Sequence, residues 1–184
     1  PDYDRVGAGI IAKGSYKVIV LFFTGGQNSS QSSQNIISPA PQPQSQPQTQ
    51  LQSQPVSGLN SDEQKMVDLV NQERARAGLA PLQVDMALVK LARMKAQDMI
   101  DKGYFSHTSP TYGSPFDMMK AAGVQYRYAG ENLAGAPTVE SAHANLMNSS
   151  GHRANILNSS YTRVGIGVVS GGPYGKMFVQ MFTG

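Results

Sequence analysis

The chain has 184 residues, no cysteine and a formal net charge of +3. That length fits one domain with room for extensions, and the missing thiols exclude a disulfide framework, a thiolate metal site and a thiol nucleophile. The charge excess is compatible with an anionic surface such as a cell wall but too weak to argue nucleic-acid binding, and no apolar run reaches the ~18 residues of a membrane helix, so the chain reads as not transmembrane.

The stretch "YKVIVLFF" (16–23) is β-branched and aromatic and reads as a buried strand. The segment around it lies over the end of the chain: "DYDRVGAGIIAKGSYKVIVLFFTG" matches "SYTRVGIGVVSGGPYGKMFVQMFTG" with one gap. Arg5-Val6-Gly7 meets Arg163-Val164-Gly165, and Phe23-Thr24-Gly25 meets Phe182-Thr183-Gly184. Residues 1–26 are therefore read as the closing hairpin of a preceding copy of the domain, in a tandem repeat. Its apolar edge would seek this domain's sheet or another chain, a route to self-association through residues 1–25. Residues 27–59, mostly Gln, Ser and Pro, cannot bury enough apolar surface to offset their conformational entropy and read as a linker. Residues 60–184 hold one complete domain.

Within that domain, Asn60 or Ser61 caps a first helix carrying Met66, Leu69, Val70 and Ala77, stopped by Gly78. "LAPLQVD" is a loop ending at Asp85, a second cap, followed by a helix with Leu88, Ala92 and Met99 on its apolar face and Gly103 as its stop. Ser114-Pro115 opens a third helix with Phe116, Met119 and Ala122 inward. Thr138 opens a fourth, running towards Asn148, with His143 on its surface. "VGIGVV" and "KMFVQMF" are strands joined through the hairpin signal "SGGPYG". The methionines at 94, 99, 118, 119 and 147 read as core filler.

Phosphate loops, dinucleotide fingerprints, His-Glu-x-x-His and Gly-x-Ser-x-Gly patterns are absent from the sequence. What remains is His107 in "FSHTSP", Glu131 in "AGENLAG", where flanking glycines allow close approach of backbone to a ligand, and His152 in "SSGHRANIL", at a turn leading into a short helix. Taken singly, each is more often a packed or capping residue than a functional one.

Together and in this order, "VNQERARAGLAPLQVD", "LARMKAQDMIDKGYFSHTSPTYGSPFDMMKAAG", "AGENLAG" and "MNSSGHRANILNSSYTRVGIGV" resemble the bacterial branch of the CAP superfamily. That superfamily comprises cysteine-rich secretory, antigen 5 and pathogenesis-related proteins, also called SCP-like extracellular. The resemblance covers residues 61–184 and runs towards exported proteins of spore-forming bacteria. It implies an α+β fold, an α-β-α sandwich with an antiparallel sheet between helices. It also implies a large cleft in which two histidines and one or two glutamates face each other and can hold a divalent ion. His107 matches the first family histidine, Glu131 the glutamate of the "GEN" motif, and His152 the second histidine; His107 is then expected opposite His152.

Three departures stand out. The second glutamate of animal and plant members has no match, because Glu140 lies nearly three turns too early. Leu146 and Phe178 stand where tryptophans are usual, and disulfides are absent, as the bacterial branch implies. The resemblance implies an extracellular or cell-surface, secreted protein binding a divalent metal, zinc first, and a lipid or cell-wall component without turnover. The alternative is a metal-dependent hydrolase with Glu131 as general base.

Overall fold

The computed structural model describes residues 55–184 and the backbone of residues 5–13 and 16–24. Most of the segment read as a linker, residues 27–54, lies outside the described residues. The two leading strands, β1 (Arg5–Lys13) and β2 (Tyr16–Thr24), pair antiparallel.

Helices form where caps and apolar spacing agree. Helix α1 (Ser61–Arg76) starts at a capping box, in which the Asn60 side chain accepts from the Glu63 amide and the Glu63 carboxylate accepts from the Asn60 amide. It ends before Gly78, whose φ of 71° suits glycine alone. After the two-residue β3 (Gln83–Val84), α2 (Met86–Asp101) is capped by Asp85. The short α3 (Pro115–Ala121) carries a Ser114–Asp117 capping box with proline in its first turn. Then follow β4 (Ala129–Ala136), α4 (Val139–Asn148) under a Thr138 cap, and α5 (Ser150–Ile156). The hairpin β5 (Arg163–Ser170) and β6 (Lys176–Thr183) closes the chain.

The strands form one sheet in the order β1-β2-β4-β6-β5-β3, antiparallel except for the short parallel pairing of β3 with β5. Strand alternation sends β6 side chains to both faces. Met177, Val179 and Met181 join Leu88, Leu91 and Met99 of α2 and the methionines of α3. Phe178 and Phe182 join Met66 and Val70 of α1, Leu146 of α4 and Ile156 of α5. The result is helix, sheet, helix: the α-β-α sandwich expected.

The sheet can be this close to α2 because β5 presents glycines to it. A Cβ on Gly165 would stand 2.2 Å from the Leu88 carbonyl carbon, and one on Gly167 would stand 2.4 Å from that of Ala92. Both obstacles are backbone, which cannot rotate away.

Three local readings are corrected. "AGENLAG", read as a Gly-flanked segment, is a strand, buried along its whole length. Ala122, read as inward, caps the end of α3 and is exposed. His152, read at a turn before a short helix, lies inside α5.

Gly167→Ala should cost about 1–3 kcal/mol of stability in urea unfolding, since overpacking against rigid backbone costs that much. A variant as stable as the parent would show that α2 does not lie this close to β5.

Candidate functional site

Strand β4 is the centre of the candidate site. It runs between β2 and β6, with Leu21 and Met181 as the backbone partners of Glu131. Successive residues of a strand point to opposite faces, and here the two central ones are polar and fully buried: Glu131 and Asn132. Each gathers a histidine-bearing segment from a different part of the chain.

Glu131 takes His107. The imidazole Nδ1 lies 2.6 Å from Oε1 of Glu131, and both side chains are buried. An ionised carboxylate can only accept, so opposite one Nδ1 is the donor; in a neutral ring the lone pair is then on Nε2. Neither His107 Nε2 nor Glu131 Oε2 has a hydrogen-bond partner among the described residues. Buried polar atoms of that kind require an explanation.

The loop holding His107 is fastened to α2 by two buried charged residues three apart, Lys95 and Asp98. Lys95 Nζ donates to the His107 carbonyl at 2.8 Å and to the Tyr104 hydroxyl at 3.2 Å. Asp98 accepts from three hydroxyls: Tyr104 at 2.5 Å, Ser109 at 2.7 Å and Thr111 at 2.6 Å. Burial pushes the Asp98 carboxyl up, but these bonds and the nearby Lys95 outweigh it and hold it below its ordinary value. Burial pulls the Lys95 ammonium down, against the opposing pull of Glu131 and Asp98. Ahead of His107, Phe105 packs edge-on against Tyr174 at 5.7 Å, and Tyr174 in turn fills the space over Gly135 of β4.

Asn132 takes the other segment. Its amide donates to the His152 carbonyl at 3.1 Å and to Gln180 Oε1 at 3.0 Å, while its own oxygen accepts from Asn155 at 2.9 Å. The His152 ring is fully buried with Nδ1 2.6 Å from Ser149 Oγ. Ser149 occupies the cap position of α5 but makes no side-chain bond to the helix backbone. Its hydroxyl serves the ring.

The structure thus brings His107 and Glu131 into direct contact and attaches His152 to the adjacent residue of the same strand. Among the described residues no group of three His, Cys, Asp or Glu side chains is placed to hold a metal ion. Two imidazoles with a carboxylate on one ring still match the donor chemistry of zinc, where a carboxylate commonly orients a ligating histidine through its second nitrogen. His107 Nε2 is the buried donor atom that fits this.

Two further features come from the structure alone. An apolar cavity of about 630 Å³ opens between α2 and α3, lined by Leu91, Met94 and Met118 with Lys90, Thr111 and Tyr112 at its polar side. At the other face, Arg74 is buried and spends its guanidinium on the carbonyls of Ala80, Ile156, Asn158 and Tyr161, joining α1 to the connection between α5 and β5.

His143, read as a surface residue, is instead buried between α4 and α1. The Glu73 carboxylate is 3.9 Å from its Nε2, too far for a hydrogen bond.

A family model described as CAP, the cysteine-rich secretory protein family, matches residues 67–182. The uncharacterized protein YkwD of Bacillus subtilis is 52% identical over 129 residues, covering 70% of this chain and 49% of that protein. A crystal structure of an extracellular protein containing a SCP domain from Bacillus anthracis aligns with a TM-score of 0.63 at 35% identity, covering 71% of this chain and 45% of that one. An outer surface protein of Borrelia burgdorferi shares the fold at 19% identity and a TM-score of 0.62, over 66% of this chain and 91% of its own. The chain spans about half the length of YkwD and of the Bacillus anthracis protein.

Burial lowers the His143 pKa, and Glu73 only partly opposes it. A histidine whose folded pKa is depressed favours the fold while neutral, so its contribution is present above the unfolded value near 6.5 and fades as pH falls below it. Urea unfolding from pH 7.5 to 5 should therefore show stability dropping more steeply in the parent than in His143→Leu, with a difference of at most about 1.4 kcal/mol per pH unit for one proton. Equal slopes would mean that His143 titrates alike in the folded and unfolded chain.

Proposed function

The chain belongs to the CAP, cysteine-rich secretory protein, family, and we propose that it is an extracellular binding module whose site is the buried His107–Glu131 pair together with His152. The observation that carries this reading is the 2.6 Å bond from His107 Nδ1 to Glu131, which orients the ring and leaves Nε2 as a buried donor without a protein partner. The ligand we assign to it is a divalent cation, zinc first, with His107 and His152 as the protein donors and Glu131 holding the His107 ring. Solvent would complete the shell, since two imidazoles fall short of the three or four protein donors usual for zinc.

Binding is favoured over turnover by the state of Glu131. A general base must be free to take a proton from water, whereas one oxygen of Glu131 is committed to orienting the His107 ring. A hydrolase would need Oε2 to serve a water brought in from outside. The extracellular setting is supported by the Bacillus anthracis relative, described as extracellular. For a lipid or wall-derived partner, the cavity between α2 and α3 lies in the size range of small-molecule sites.

Calorimetric titration with zinc at pH 7.5 should show binding to the parent and at least tenfold weaker binding to His107→Ala, His152→Ala and Glu131→Gln, with exposed Lys102→Ala unchanged. At pH 5.5, protonation of imidazole, ordinarily near pH 6.5, should weaken binding, more steeply than for one histidine. Equal affinity in both histidine variants would remove the metal from this site and leave the fold alone.

A further inference from the structure

Metal-ligand orientation is usually credited to the carboxylate that touches the ring, here Glu131. The structure shows a second set of contacts that acts on the backbone of His107 itself. Four residues of the loop, at 104, 107, 109 and 111, are all bonded to one pair of side chains on α2. Those side chains, Lys95 and Asp98, sit in the apolar stripe of α2 among Leu88, Leu91, Ala92, Ala96 and Met99. Burying a charged pair in such a stripe is costly and is often no more stable than an apolar replacement, so general stability is a poor reason for it. A specific geometry is a better one.

We propose that Lys95 and Asp98 are positioning residues of the site: they fix the loop at His107 so that its Nδ1 meets Glu131 and its Nε2 is the ring nitrogen left open. Lys95 holds the His107 carbonyl directly. Asp98 holds both flanks, through Tyr104 three residues before and through Ser109 and Thr111 two and four residues after. Ser109 passes the constraint on, because its hydroxyl also accepts from the amides of Thr111 and Tyr112. With the loop tied on both sides through side-chain hydroxyls and at its centre through the His107 carbonyl, the ring is presented to Glu131 from a fixed point, and the tautomer follows from its position there. This inference rests on the proposed role of His107, but it concerns the ring and not the ligand.

The test is the ring tautomer of His107, read by long-range proton–nitrogen correlation on protein labelled with nitrogen-15 histidine at pH 7.5. In the parent, His107 should give one neutral tautomer with the proton on Nδ1. In Asp98→Asn and Lys95→Met, the two nitrogen signals should move towards each other as both tautomers become populated, while the His152 signals stay in place. Thr111→Val removes a single hydroxyl from Asp98 at the edge of the network. It should give the same change to a smaller extent, and it keeps the test decisive where the charge variants fail to fold. Zinc affinity should fall about 10–100-fold in Asp98→Asn, as for other residues that orient a ligand. If the parent takes up no zinc, the binding reading fails and the ring signature still decides the positioning role. Folded variants whose His107 signals match the parent would overturn it, as would a parent whose proton sits on Nε2.

Discussion

How closely α2 lies on β5 governs where the chemistry can sit. Without side chains at 165 and 167, the helix backbone comes down to van der Waals contact with the strand. Lys95 follows about one turn beyond Ala92 and Asp98 nearly two, and from there the lysine reaches the His107 carbonyl at 2.8 Å. The same helix is tied to α1 through Arg93, whose guanidinium meets the Glu63 carboxylate at 2.5 and 2.7 Å. Glu63 also closes the α1 capping box and accepts from the Val168 amide of β5. One carboxylate therefore fixes two helices against one strand.

Charges decide little at the surface of this domain and a good deal inside it. Lys65–Glu140 and Arg76–Glu73 are pairs at the surface, where water and salt screen the attraction and little stability follows. The buried groups are different, because each would cost several kcal/mol if left without partners. Arg74 meets four carbonyls, Asp98 three hydroxyls, and Glu63 two amides and a guanidinium. Among the described residues, His107 Nε2 and Glu131 Oε2 are buried without a partner, as are both ring nitrogens of His143 and the Tyr161 hydroxyl, but only the first two belong to a directly bonded imidazole–carboxylate pair. That pairing, and not the missing partners alone, is what marks them as a site.

Most helix boundaries were legible because they depend on short-range chemistry: Asp85, Ser114 and Thr138 cap as read, and of the two candidates Asn60 and Ser61 the cap is Asn60. Strand β4 was not, since "AGENLAGA" has small residues and no β-branched run, and its conformation is imposed by neighbours on both sides. His143 was misread although its spacing held the answer. Val139, Ala142, His143 and Leu146 fall at i, i+3, i+4 and i+7, the core stripe of a helix, and all four are buried. Lys95 and Asp98 carried the same signal, charges lodged in an apolar stripe. Pairing His107 with Glu131 came from the resemblance of motifs, since residues 24 apart share no local pattern.

The polar pair on β4 also explains how such a featureless strand keeps its place. Gly- and Ala-rich strands specify register weakly, and a slip of one residue turns every side chain to the other face. Here a slip would carry Glu131 away from His107 and towards the α5 side. The bond from Asn132 to Gln180 opposes it, because these two are direct cross-strand partners on β4 and β6, and it is made in the interior. Asn155 and the His152 carbonyl bind the same amide, so α5 is locked to the register as well. The amide cluster on one face thereby holds the carboxylate on the other in position, and the two histidine segments are coupled through a single pair of adjacent residues.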